Sequence, residues 1–113
     1  MSGTYNISAR QGNTLNFRFT IQTDETLWNI TNWTGVMTAR PFLGATSTWF
    51  TATTENGLMV LDGPAGEVSV TLSADLLAGL PAQRGVYDLN LDSGDEVYGI
   101  LEGRFTVEQA VTE

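Results

Sequence analysis

Along most of this chain apolar and polar residues alternate with a period of two. Leu15, Phe17, Phe19 and Ile21 alternate with Asn16, Arg18, Thr20 and Gln22, which is the pattern of a strand with one apolar face. Tyr5, Ile7 and Ala9 alternate with Asn6 and Ser8, and Gln11-Gly12-Asn13 supplies a turn before the next strand. Thr23-Asp24-Glu25-Thr26 is a polar loop. Residues 27–35 are less regular, and their two tryptophans, Trp28 and Trp33, are expected to anchor a loop or edge segment onto the core. Residues 36–40 predict a strand with Met37 and Ala39 inward, ended by Pro41, which cannot donate to a ladder. A loop over 42–47 leads to an extended run at 48–53 with Phe50 and Ala52 inward. Thr54-Glu55-Asn56-Gly57 is a turn with the Asn-Gly hairpin signal, followed by a short strand at 58–61.

The most informative stretch is 68–91. Val68, Val70 and Leu72 alternate with Ser69 and Thr71, and Tyr87, Leu89 and Leu91 alternate with Asp88 and Asn90. Between them, residues 73–80 read as one or two helical turns, capped by Ser73 or Asp75 and stopped by Gly79 and Pro81. A strand, a short helical corner and then Gly85-Val86-Tyr87-Asp88-Leu89 resemble the join between strands E and F of immunoglobulin-like domains. There a tyrosine near the start of strand F ties the corner through its hydroxyl. Gly85, Tyr87 and Leu89 are therefore the structural-corner residues, with Leu89 where the second cysteine of an antibody domain would stand. After Asp92-Ser93-Gly94-Asp95, a hairpin turn, a long strand carries Gly99 and Gly103, which suggest a bulge or a close backbone approach. The tail 109–113 is expected to fray or to dock on a partner. About seven to eight short strands with one helical stub predict an all-β, immunoglobulin-like antiparallel sandwich, a single domain over residues 1–113.

Composition narrows the chemistry. The 113 residues include 13 acids and five basic residues, for a net charge of -8. That balance argues against nucleic acid or an anionic membrane as partner. The basic residues are all arginine, and there is no Lys, His or Cys. Disulfides, thiolate metal sites and His- or Cys-based catalysis are excluded. Paired carboxylates remain, but nearly all acids fall in turns or on outward strand positions, so no catalytic residue is assigned. Asp92 to Glu96 lacks the spacing of a full calcium loop, and its Asp and Gly suit a turn, so no metal ligand is assigned either. No glycine loop leads into a helix as a phosphate cradle would, and no cofactor is expected. Three Asn-x-Thr/Ser triplets match the glycosylation pattern in a chain whose start, Met1-Ser2-Gly3-Thr4-Tyr5, does not read as a signal peptide. Among the aromatics, Trp49, Trp28 and Tyr98 are the candidates for an exposed contact, Trp49 first because it neighbours inward Phe50 on an alternating strand.

Beyond the corner, the order of motifs resembles a family of small standalone virion proteins of tailed bacteriophages and prophages, with immunoglobulin-like relatives of the baseplate upper-protein N-terminal domain. The matching residues are Gln11-Gly12-Asn13-Thr14-Leu15-Asn16-Phe17, Ile30-Thr31-Asn32-Trp33-Thr34-Gly35 and Ala39-Arg40-Pro41. They continue through Thr53-Thr54-Glu55-Asn56-Gly57, Val70-Thr71-Leu72-Ser73-Ala74-Asp75, Arg84-Gly85-Val86-Tyr87-Asp88-Leu89-Asn90-Leu91 and Leu101-Glu102-Gly103-Arg104-Phe105-Thr106-Val107. The likeness spans nearly the whole chain and departs at Gly99, where a basic or polar residue is expected. It implies a virion structural protein assembled in the bacterial host cytoplasm, a tail- or baseplate-associated adaptor docking fibres or other peripheral parts in several symmetric copies. Its partners would be other virion proteins, with no nucleic acid and no membrane. The alternatives are a capsid decoration or neck protein, a carbohydrate-binding module using Trp28, Trp33 or Trp49, and, least, a carboxylate hydrolase.

Overall fold

The computed structural model describes residues 3–23 and 26–109. Two short segments, β1 (Gly3–Thr4) and β2 (Ile7–Arg10), open the chain and are followed by β3 (Leu15–Thr20). A two-stranded ladder of β4 (Gln22–Thr23) and β5 (Thr26–Leu27) leads to β6 (Thr34–Arg40) and β7 (Phe50–Thr53). Then come β8 (Met59–Asp62), β9 (Glu67–Leu72), the helix α1 (Ala74–Ala78), β10 (Arg84–Asp92) and β11 (Val97–Glu108). Of the polar loop read at 23–26, residues 24 and 25 lie outside the described residues, as do 110–113 of the tail.

Most of these strands pack into two sheets. The larger runs β1–β11–β10–β6–β7, with β2 also on β11; the smaller runs β3–β9–β8. As in an immunoglobulin-like sandwich, the helical corner carries the chain from one sheet to the other: β8 and β9 before it lie in the smaller sheet, β10 and β11 after it in the larger. The alternation of the sequence builds the core directly. Met37, Ala39, Phe50, Ala52, Val68, Val70, Leu72, Leu89 and Leu91 face inward and are buried. No polar or charged side chain among the described residues is buried.

Helix α1 forms where expected and for the expected reason. The Ser73 hydroxyl accepts from the Leu76 N–H at 3.1 Å, satisfying one of the free donors of the first turn. Gly79 ends the helix, and Leu77 is driven completely into the core.

Three features depart from the alternating pattern. The sheets are not wholly antiparallel, because β1 and β2 both pair in parallel with β11, Gly3 opposite Leu101 and Ile7 opposite Phe105. The turn over 54–57 does not close a hairpin. It carries the chain from β7 in the larger sheet to β8 in the smaller one, held by Asn56, whose Oδ1 accepts from the N–H groups of Thr53 and Leu58, both at 3.0 Å. In β11 the register slips: Leu89 faces Leu101 but Asn90 faces Gly99, so Ile100 is an extra, bulged residue beside Gly99. The bulge keeps both Ile100 and Phe105 buried, although they stand five residues apart and a regular strand would send them to opposite faces.

Candidate docking surfaces

The corner residues Gly85, Tyr87 and Leu89 lie on the inward face of β10. Leu89 is completely buried, so an apolar side chain fills the place of a half-cystine. Tyr87 is 4% exposed, and its hydroxyl donates to the backbone carbonyl of Tyr5. This corrects the expected role. The hydroxyl does not tie the helical corner a few residues upstream; it reaches 82 residues back in sequence to the N-terminal segment. Burial, and then the neighbouring Tyr5, push the Tyr87 phenol up to about 12.

The same segment is held by three more contacts. The Tyr5 N–H donates to the Glu102 carbonyl at 2.9 Å, and the Arg104 N–H donates to Asn6 Oδ1 at 3.0 Å. Gly103 completes the clamp, since a Cβ there would collide with the Tyr5 carbonyl oxygen and lie 3.0 Å from Asn6 Oδ1. Close backbone approach is thus the reason for glycine at 103, while Gly99 belongs to the bulge.

Trp28 and Trp33 anchor their loop onto the core as expected, while the candidates for an exposed contact, Trp49, Trp28 and Tyr98, are only partly exposed. Trp49 is half-buried, with its ring edge-on to Phe105 at 6.4 Å. A Cβ on Gly85 would stand 2.5 Å from Trp49 Cζ3, so the indole is seated against that glycine. Trp28 and Tyr98 are also half-buried, and the structure brings them together with Trp33. Trp33 stacks on Tyr98 at 5.5 Å, and Trp28 meets both edge-on at 6.0 and 5.5 Å. The loop that presents the two tryptophans is pinned by the Ile30 N–H to the Gly63 carbonyl at 2.9 Å and turned by Asn32 in the left-handed region (φ 67°). None of the three rings is an isolated exposed platform, because each turns part of its surface onto the core.

The exposed large apolar side chains among the described residues are Tyr5, Leu27, Phe42, Leu43, Val60 and Val97. Phe42 and Leu43, in the loop after β6, are 63% and 89% exposed. Leu43 borders an open groove of about 650 Å³ on the outer face of the larger sheet, lined also by Arg40, Val86, Asp88 and Glu102. Asp88 and Glu102 stand directly opposite each other on β10 and β11, and Val86 sits between Arg40 and Arg104 in the next rank. Facing carboxylates on neighbouring strands oppose the sheet's own stability. The sequence signal was available: an apolar pair between Pro41 and Gly44 breaks the alternation and cannot turn both side chains inward.

The remaining candidate chemistry is taken up by turns. Asp92 Oδ1 accepts from the Gly94 N–H at 2.8 Å, and Ser93 Oγ accepts from the Glu96 N–H at 3.1 Å. Among the described residues no three metal-binding side chains gather, and no helix is long and apolar enough to cross a membrane.

No family model matches the chain. No curated protein sequence matches it either. The fold, by contrast, is widely shared: 128 chains of solved structures resemble it. One is an extracellular domain of the voltage-gated sodium channel beta4 subunit, whose parallel homodimers explain a role in cell-cell adhesion. It is 12% identical, with a TM-score of 0.55, over 98% of this chain and 96% of that one. At that identity the likeness establishes architecture alone: the chain is an immunoglobulin-like β-sandwich.

Proposed function

We propose that this chain is a non-catalytic docking protein of a tailed-phage virion, an adaptor that joins peripheral components such as fibres to the tail or baseplate. The observation that carries the docking role is the exposed Phe42–Leu43 pair beside the groove of the larger sheet. Apolar side chains this exposed, rimmed by Arg40, Asp88 and Glu102, are what a protein contact uses. The order of scaffold motifs along the chain supports the virion setting. A fold whose neighbour forms adhesion homodimers supports symmetric, protein-to-protein use. The half-burial of Trp28, Trp49 and Tyr98 favours docking over a glycan platform.

Electron density of an intact particle tests the setting. The chain should be found in the tail, with Leu43 at a contact with another virion protein. Density in the head or neck would move the protein to the decoration or neck reading, and a particle lacking the chain would overturn the virion role. Leu43→Asp should leave the melting temperature unchanged and abolish co-purification with tail components.

A further inference from the structure

The smaller sheet ends on an open strand. β3 pairs with β9 from Leu15↔Leu72 to Thr20↔Glu67, and among the described residues no strand lies on its other side. Alternate N–H and C=O groups along six residues therefore point out of the sheet, a template for one more strand. The side chains repeat the message. Leu15, Phe17 and Phe19 face the interior but are only half-buried, while Val68, Val70 and Leu72 beside them are completely buried. A gap of about 420 Å³ separates this edge from the larger sheet, lined by Tyr5, Phe17, Arg18, Phe19 and Leu101. Of the usual protections of an edge, proline and an inward charge are missing from β3, whose single charged side chain is the outward Arg18.

The chain's own first strand is not free to cover the edge. Tyr87, the Glu102 carbonyl, the Arg104 N–H and the close approach at Gly103 commit it to β11. Charge then indicates what does. In a chain of 13 acids and five arginines the gap is lined by no acid and by Arg18 alone. A second copy fits poorly: pairing β3 with itself about Phe17 sets Arg18 opposite Asn16, and brings a second net charge of -8.

We propose that the edge of β3 binds an extended segment of a partner protein by strand addition, with alternate apolar side chains filling the gap and an outward carboxylate opposite Arg18. The proposal adds to the docking role above without depending on a virion, because the assay needs the isolated chain alone.

Two peptides of about ten residues, alternating valine and threonine with a central aspartate or a central arginine, are titrated into the isotope-labelled chain. The aspartate peptide should shift the amides of β3, Tyr5 and Leu101, binding at least about tenfold more tightly than the arginine peptide. Arg18→Glu, an exposed change, should exchange that preference. N-methylating every second amide should abolish binding in one phase and spare it in the other, as a ladder requires. Equal binding of the two peptides, indifference to methylation in both phases, or unmoved β3 amides at millimolar peptide would overturn the proposal. A peptide-free chain that sediments as a dimer, and as a monomer once Arg18→Glu is made, would assign the edge to a second copy instead.

Discussion

The Tyr87 side chain is almost wholly buried, and its hydroxyl donates its proton to one carbonyl, that of Tyr5. Tyr87→Phe should therefore cost about 1 kcal/mol at neutral pH, read from urea midpoints, the net worth of a typical hydrogen bond. The pH dependence follows from the direction of the shift. The folded-state value, about 12, lies above the ordinary 10, so folding favours the protonated phenol. Its contribution is complete below pH 10 and is lost as pH climbs toward 12. The stability gap between wild type and Tyr87→Phe should stay constant up to pH 10 and close above it. A gap that widened there would mean the hydroxyl is not held as described. Gly85 makes a second test at this scale. Gly85→Ala would drive a methyl group into the Trp49 indole and the Arg40 carbonyl. Overpacking of that kind costs about 1–3 kcal/mol, and the near-ultraviolet dichroism of the displaced indole should change with it.

At the level of elements, α1 shows which parts of the helical corner matter. Ser73→Ala removes the cap and should cost about 1 kcal/mol, whereas Leu77→Ala opens the core and should cost about 2–5 kcal/mol. Equal effects in urea denaturation would mean that Leu77 does not anchor the helix. Such elements were legible because one local rule specifies each: a period of two for β6, β9 and β10, a serine cap and a glycine stop for α1. What alternation encodes is the face of a strand, not its neighbour. Ile7 and Ala9 read correctly as buried, but nothing in their spacing says that they run parallel to Phe105 and Val107. Asn56 and Gly57 specify a reversal of the chain, yet a reversal serves equally for a hairpin and for the step to the opposite sheet. Gly103 announced a close approach without saying that Tyr5 would make it. The proposed docking surface was harder to see, since composition cannot tell which aromatic stays wet. Trp28 and Trp33 sank against each other and Tyr98, and Trp49 against Phe105, while Phe42 and Leu43 stayed exposed.

Taken whole, the molecule puts no polar or charged side chain among its described residues into the core. Its two ends are also arranged in a particular way. β1 and β2 run parallel to β11, with Gly3 beside Leu101 and Arg10 beside Glu108. Tension applied at Gly3 and Gln109 would pull these neighbours in opposite directions along their length. Their ladder bonds would then be loaded together and in shear, rather than opened one after another. The chain has no cysteine, so engineered thiol handles report only where they are placed. Stretched from its ends in an optical trap, the domain should yield at a higher force than when pulled between its N-terminal end and Asp95→Cys, which peels the same strands apart. Tyr87→Phe should lower the first force and leave the second nearly unchanged. A domain joined by its ends to neighbours would transmit mechanical load through the ladder that the Tyr87 hydroxyl latches.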